Sequence, residues 1–300
     1  MAASTEVVPA RINQPPFVNN LLVNPGFEIW QRGNGPFTVD YGFSCDEWRL
    51  RFDAGSGESL SVSRSSSALY GSYALLVNSS VGTTLIDQGI EAYKSLEDKW
   101  VTFSCWVKAS LGDAVKLWLR DYSGSSSGAD SPYHSGSDQW EQLVVTYKIR
   151  TGLTSPGITF PHGFGLRVAL RFTQNVSNVL FDGAVLAQGY FPEGIPYVPL
   201  HPAEDLERCQ RFYQTSGGDP YNGSIFRQDV VSGSNYFADH FFQTPMYATP
   251  TLTITNGNNK GFGASPAGTQ VDRKGFKEWR TATATAASRY FWSYWEAEVS

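Results

Sequence analysis

Long apolar runs are missing from this chain of 300 residues. Nowhere do about 18 hydrophobic residues follow one another, so no helix is expected to span a bilayer. Charge is sparse as well: 17% of residues are Asp, Glu, Lys or Arg, and the net charge is -5. That balance provides no general basic field for nucleic acid or an anionic membrane. Cysteine is scarce, and Cys45, Cys105 and Cys209 form no CxxC pair or Cys/His cluster. Neither a disulfide framework nor a zinc site follows, and free buried thiols in a reducing cytosol are expected. Met1 to Gln14 lacks the basic-then-apolar order of a secretory signal.

Catalytic signatures are equally thin. His134, His162, His201 and His240 are scattered, with no Gly-x-Ser-x-Gly elbow, phosphate loop or HExxH. Asp40, Asp46 and Glu47 precede Trp48, but nothing sets them at a glycosidase carboxylate spacing. The chain is therefore expected not to be an enzyme.

Amphipathic helical patterns longer than about three turns are also lacking, and what fills the chain is short alternation between turn signals. Strands are expected at Ser59 to Ser63, Ala74 to Asn78, Val101 to Lys108, Val115 to Tyr122, Gln142 to Ile149, Leu166 to Thr173 and Val179 to Leu186. A second series follows at Ile225 to Val231, Tyr236 to Phe242, Thr249 to Thr255, Gly275 to Ala282 and Ser288 to Glu298. Between the two series, Pro192, Pro196, Pro199 and Pro202 impose a stiff path, and Pro202 to Tyr213 reads as one helix. Its buried face is expected to carry Leu206, Cys209, Gln210 and Tyr213.

The resulting fold class is all-β: an extended arm at 1–19, a jelly-roll sandwich at 20–190, a Pro-rich linker with a short helix at 191–214, and a smaller β-sandwich at 215–300. The arm, with Pro9, Pro15 and Pro16, reads as a segment that is disordered alone or docks on a partner.

Asn20-Leu-Leu-Val-Asn-Pro-Gly-Phe-Glu-Ile-Trp-Gln-Arg-Gly33 joins a short apolar strand to strong turn chemistry, with Phe27 and Trp30 as anchors beside Glu28. Alternation then sorts the later strands. Val101, Phe103, Cys105 and Val107 share one face, against Thr102, Ser104, Trp106 and Lys108. Val115, Leu117 and Leu119 oppose Lys116, Trp118, Arg120 and Tyr122, while Leu166, Val168, Leu170 and Phe172 oppose Arg167, Ala169, Arg171 and Thr173. A face carrying Trp beside Arg and Lys suits a sugar, because rings cover the apolar C–H face of a pyranose and charged forks bind hydroxyls or carboxylates. The expected carbohydrate-binding set is Trp106, Trp118, Arg120, Tyr122, Arg167 and Arg171; packing against a neighbouring subunit is the competing use. The polar stretch Tyr122 to Asp138 reads as a binding loop or a surface insertion.

Several segments together resemble a known group. The opening motif, Cys45-Asp-Glu-Trp-Arg49, Leu180-Phe-Asp-Gly-Ala-Val-Leu-Ala-Gln188, Glu204-Asp-Leu-Glu-Arg-Cys-Gln-Arg-Phe-Tyr213, Thr244-Pro-Met-Tyr-Ala-Thr-Pro-Thr251 and Trp295-Glu-Ala-Glu298 occur in the order seen in phage and prophage virion structural proteins. In those proteins a jelly roll resembling carbohydrate-binding-module families 4 and 9 belongs to a tail fibre, spike or capsid-bound appendage. The resemblance implies a virion protein among other virion proteins. The absence of an export signal suits synthesis in the host cytoplasm, and a homo-oligomer such as a trimer would multiply weak contacts to a host-surface polysaccharide by avidity, the alternative being a purely structural decoration or connector. No nucleic-acid partner and no membrane insertion are implied. It also implies a structural calcium held by Glu28 and Asp182, the matching acids of the opening and closing motifs, with backbone carbonyls completing the shell.

Overall fold

The structure is a computed structural model that describes residues 18–52, 56–80, 84–157, 161–216, 225–256, 262–263, 266–283 and 285–299; within these, the side chains of 225–228, 256 and 286–294 are left undescribed. The expected arm at 1–19 lies almost wholly outside the described residues.

The first ten strands in chain order are β1 (Arg49–Arg51), β2 (Ser59–Ser65), β3 (Ala74–Ser80), β4 (Thr84–Gly89), β5 (Trp100–Lys108), β6 (Val115–Tyr122), β7 (Ser126–Asp130), β8 (Trp140–Lys148), β9 (Leu166–Phe172) and β10 (Val176–Gln188). They form two five-stranded antiparallel sheets, ordered β2-β3-β10-β5-β8 and β1-β4-β9-β6-β7. The non-consecutive neighbours are those of a jelly-roll β-sandwich. Alternation explains the packing: Val101, Phe103, Cys105 and Val107 of β5 face Val115, Leu117 and Leu119 of β6 and the apolar set of β9 across one core. Phe172 and Phe181 meet edge to face between the sheets, with ring centroids 5.6 Å apart.

After the sandwich come α1 (Pro202–Gln210), β11 (Tyr213–Thr215), β12 (Ile225–Val230), β13 (Asn235–Phe241), β14 (Thr251–Asn256), β15 (Gly268–Val271), β16 (Gly275–Thr281) and β17 (Ala286–Glu298). β17 pairs with β11, β12 and β14, and a second sheet runs β13-β16-β15. Phe242, Met246, Phe276 and Trp295 lie in the small core of this unit. Among the described residues no helix is long and apolar enough to cross a membrane.

Four local expectations are corrected. Leu21 to Val23 forms no ladder strand. The Asn20 side chain instead donates to Ala184 O at 2.9 Å and accepts from Leu186 N at 3.1 Å, standing in for ladder bonds. The helix ends at Gln210, and its buried positions are Asp205 and Cys209, not Leu206 and Gln210. Burial of Asp205 is tolerated because its carboxylate accepts the Asn24 N–H at 3.0 Å. Tyr213 lies beyond the helix, in β11. The stretch Tyr122 to Asp138 contains a strand, β7, that extends the sheet past β6.

Candidate functional site

The outer face of β6, β7 and β9 carries most of the expected carbohydrate-binding residues. Antiparallel register sets Lys116 opposite Arg171, Trp118 opposite Ala169, and Arg120 opposite Arg167. The small Ala169 is fully buried across from the indole. Two guanidinium carbons pack over the Trp118 ring, Arg171 at 4.1 Å and Arg120 at 4.4 Å from its centroid. Asp130, opposite Trp118 on β7, draws these cations together. Lys116 Nζ lies 2.6 Å from its carboxylate, Arg171 4.0 Å, and Arg120 is hydrogen-bonded to it. Burial pushes the Asp130 carboxyl up, yet bonds from Lys116 and Arg120 outweigh that and hold it below the usual range. Burial lowers Arg171, with a further contribution from Arg120. Tyr133 extends the patch, Lys116 Nζ lying 4.8 Å from its ring centroid.

Three cations thus surround one carboxylate beside two rings, which suits an anionic ligand held by the cations that frame the indole. Sequence alternation did not single out Asp130 and Tyr133. Their signal was weak: both sit in a Ser- and Gly-rich stretch whose pairing with β6 depends on Gly128 at φ +157°.

Two expected members do not join the patch. Trp106 lies on the outer face of the opposite sheet, where β5 pairs with β10 and β8. There its ring meets Tyr70 edge-on at 6.4 Å, and Tyr70 in turn packs edge-on against Tyr197 at 5.1 Å. Arg167 is on the right face but buried, its Nη1 2.8 Å from Asp87, which also holds Arg49 at 3.2 Å. Burial lowers Arg167 to about 10. Its fork is spent on holding β1, β4 and β9 together. Tyr122 stays on the face, half-buried, at the far end of β6.

Glu28 and Asp182 clasp one turn. Asp182 accepts N–H bonds from Leu69 and Tyr70, each at 2.7 Å, and from Gly183 at 2.6 Å. Glu28 Oε1 accepts from Ser72 N at 2.7 Å and Tyr73 N at 3.0 Å. Gly71 sits between them at φ +62°, and a Cβ there would strike the Glu28 carboxylate. Burial pushes Asp182 up to about 6, although the three N–H bonds pull the other way. The N–H donors on Glu28 Oε1 and on the two Asp182 oxygens compete with a hard cation for the same lone pairs. Among the described residues no group of three or more His, Cys, Asp or Glu gathers for a metal. The N–H bonds make the two acids a backbone clasp around the turn at 69–73.

No family model matches the chain. No curated protein matches it either. Among solved structures, the C-terminal family 22 carbohydrate-binding module of Clostridium thermocellum Xyn10B is 19% identical, over 51% of this chain and 92% of that one, with a TM-score of 0.37. The tandem family 22 modules of Paenibacillus barcinonensis Xyn10C are 13% identical, over 94% of this chain and 90% of theirs, at 0.38. The enzymatically active domain of a tailspike protein from bacteriophage CBA120 is 10% identical, over 57% of this chain and 21% of that one, at 0.37. Scores of this size carry no argument about ligand or activity.

Proposed function

We propose that this chain is a non-catalytic component of a phage virion, a tail fibre, spike or capsid-bound appendage, that contributes to attachment to host-surface glycans. The observation that carries the glycan reading is the Trp118 patch. A half-buried indole on a sheet face lies among Lys116, Arg120 and Arg171, three cations for the single carboxylate of Asp130. The excess positive charge, on a chain whose net charge is -5, favours a saccharide bearing carboxylates or phosphates. The virion assignment is supported by the ordered motifs from Asn20 to Glu298 that resemble phage appendage proteins. Assembly as a homo-oligomer would multiply weak contacts through avidity.

A second reading has its own support: the Trp118 ring is already covered by two guanidinium groups, as in a surface made to pack against another virion protein. Two measurements test the proposal together. The purified chain should co-sediment with an acidic polysaccharide such as polygalacturonate, and antibodies to it should label intact phage particles. Labelled particles without co-sedimentation would favour the connector reading. Absence of label from particles would remove the virion assignment.

A further inference from the structure

The opening segment and the C-terminal sheet enclose a second concavity, distinct from the Trp118 patch, of about 690 Å³. That is within the range of about 300–1,000 Å³ usual for small-ligand sites. Its floor follows from strand alternation. Trp295 and Ala297 of β17 turn into the core, so Glu296 and Glu298 turn outward. Register places Thr253 beside Glu296 and Thr251 beside Glu298, giving a floor of two hydroxyls and two carboxylates.

The wall is aromatic and fixed. Tyr213, paired with Glu298 from the other side of β17, lies under the Arg32 guanidinium at 3.8 Å from its ring centroid. Phe43 stands 5.2 Å from the same guanidinium. Arg32 is held in turn by Asp46 at 2.9 Å and Glu298 at 2.8 Å. Tyr41 lines the opening and is 45% exposed. Its backbone is pinned, the N–H donating to Leu50 O and Asp40 Oδ1, each at 2.9 Å. The Arg49 and Arg51 guanidinium carbons lie 5.3 and 5.9 Å from its ring centroid, so the ring is already held before a ligand arrives and needs little further ordering.

Charge selects the ligand class. Among the described residues no cation lies within salt-bridge distance of Glu296, and Glu298 shares the single charge of Arg32 with Asp46. The floor of the cleft is therefore acidic, with Arg49 and Arg51 behind the Tyr41 ring, whereas the Trp118 patch is basic.

We infer that this cleft between Tyr41 and β17 is a second saccharide site, one that takes a chain without acidic groups and binds an amino-bearing chain more tightly. Sugar hydroxyls donate to Glu296 and Glu298 and exchange bonds with Thr251 and Thr253, an ammonium gains from the spare carboxylate, and Tyr41 offers its ring to a pyranose face. The inference rests on the cleft alone and stands apart from the glycan reading of the Trp118 patch.

The test is calorimetric titration of the full chain with the hexamers of glucose, glucosamine and galacturonate. Glucosamine hexamer should bind more tightly than glucose hexamer. Tyr41→Ala should weaken both about tenfold or more, Glu296→Gln should erase the preference for glucosamine, and Trp118→Ala should change neither. Glu296 is exposed, so Glu296→Gln should keep the wild-type unfolding midpoint and separates lost binding from lost folding. The inference is overturned if neither hexamer binds at millimolar concentration, if both cleft variants bind like the wild type, or if Trp118→Ala alone abolishes binding. Failure of the Trp118 reading shows differently, as galacturonate binding that is absent or indifferent to Trp118→Ala.

Discussion

Arg32 Nη2 lies 2.8 Å from Glu298 Oε1, so the first motif of the chain is bonded to its last strand. Gln31 strengthens the junction by donating to Tyr213 O at 3.1 Å and to Asp46 Oδ2 at 2.9 Å. The Asn24 amide ties the same motif together, donating to Ile29 O and Asp46 O. The opening segment thereby couples the sandwich, the helix and the C-terminal sheets.

Removing Arg32 should cost far more than removing its exposed partner. Arg32→Ala leaves the fully buried Asp46 carboxyl with Gln31 alone and free to take a proton, a loss of up to about 3 kcal/mol. Glu298 is 40% exposed, so Glu298→Gln should cost under about 1 kcal/mol and less still in high salt. Chemical denaturation measures both. We expect one cooperative transition in the wild type and a broader one in Arg32→Ala, because the two β units lose one of the bonds that join them while Gln31–Tyr213 and Arg211–Glu91 remain.

Stability should fall as pH rises from about 4 to 7. Burial pushes Asp46 up to about 7, against the opposing influence of Arg32 and Gln31, and it pushes Asp182 and Asp205 up to about 6. Each group then holds its proton more tightly in the folded chain than in the unfolded one. The folded state binds the excess protons across this window, so the stabilisation present at pH 4 is lost as pH passes the folded values, by at most about 1.4 kcal/mol per pH unit per group. Asp46→Asn should flatten the upper part of the curve, and a wild-type midpoint that rises from pH 5 to pH 7 would contradict this.

The Glu28–Asp182 clasp makes a separate prediction. Asp182→Ala leaves the N–H groups of Leu69, Tyr70 and Gly183 without their acceptor, a cost of about 1–3 kcal/mol. Glu28→Ala should cost less, its bonded N–H of Ser72 being exposed. The two losses should be non-additive, since both acids hold the turn at 69–73. With the clasp made by N–H bonds alone, calcium addition or chelation should leave the melting temperature of the wild type unchanged; a calcium-dependent rise abolished by Asp182→Ala would instead place a metal at this pair.

The faces of β5, β6 and β9 were legible because apolar alternation there is strict, from Val101 to Val107, Val115 to Leu119 and Leu166 to Phe172. Thr84–Gly89 was not, since β4 has Thr, Asp and Gln buried beside its apolar residues and shows no period of two. Which outward residues share a sheet was also hidden. Trp106 and Trp118 look alike in sequence, but β5 pairs with β10 while β6 pairs with β9, and long-range pairing of this kind leaves no local trace. Burial of Arg167 depended on the distant Asp87, and the role of Arg32 on a strand more than 250 residues away.

The most direct test of the account is titration of the full chain with a galacturonate oligomer, comparing the wild type with Trp118→Ala and Arg171→Met. We predict salt-sensitive binding by the wild type, weakened about tenfold in each variant without a matching loss of fold. Absence of binding by the wild type, or equal binding by all three proteins, would contradict the assignment of this face to an acidic glycan.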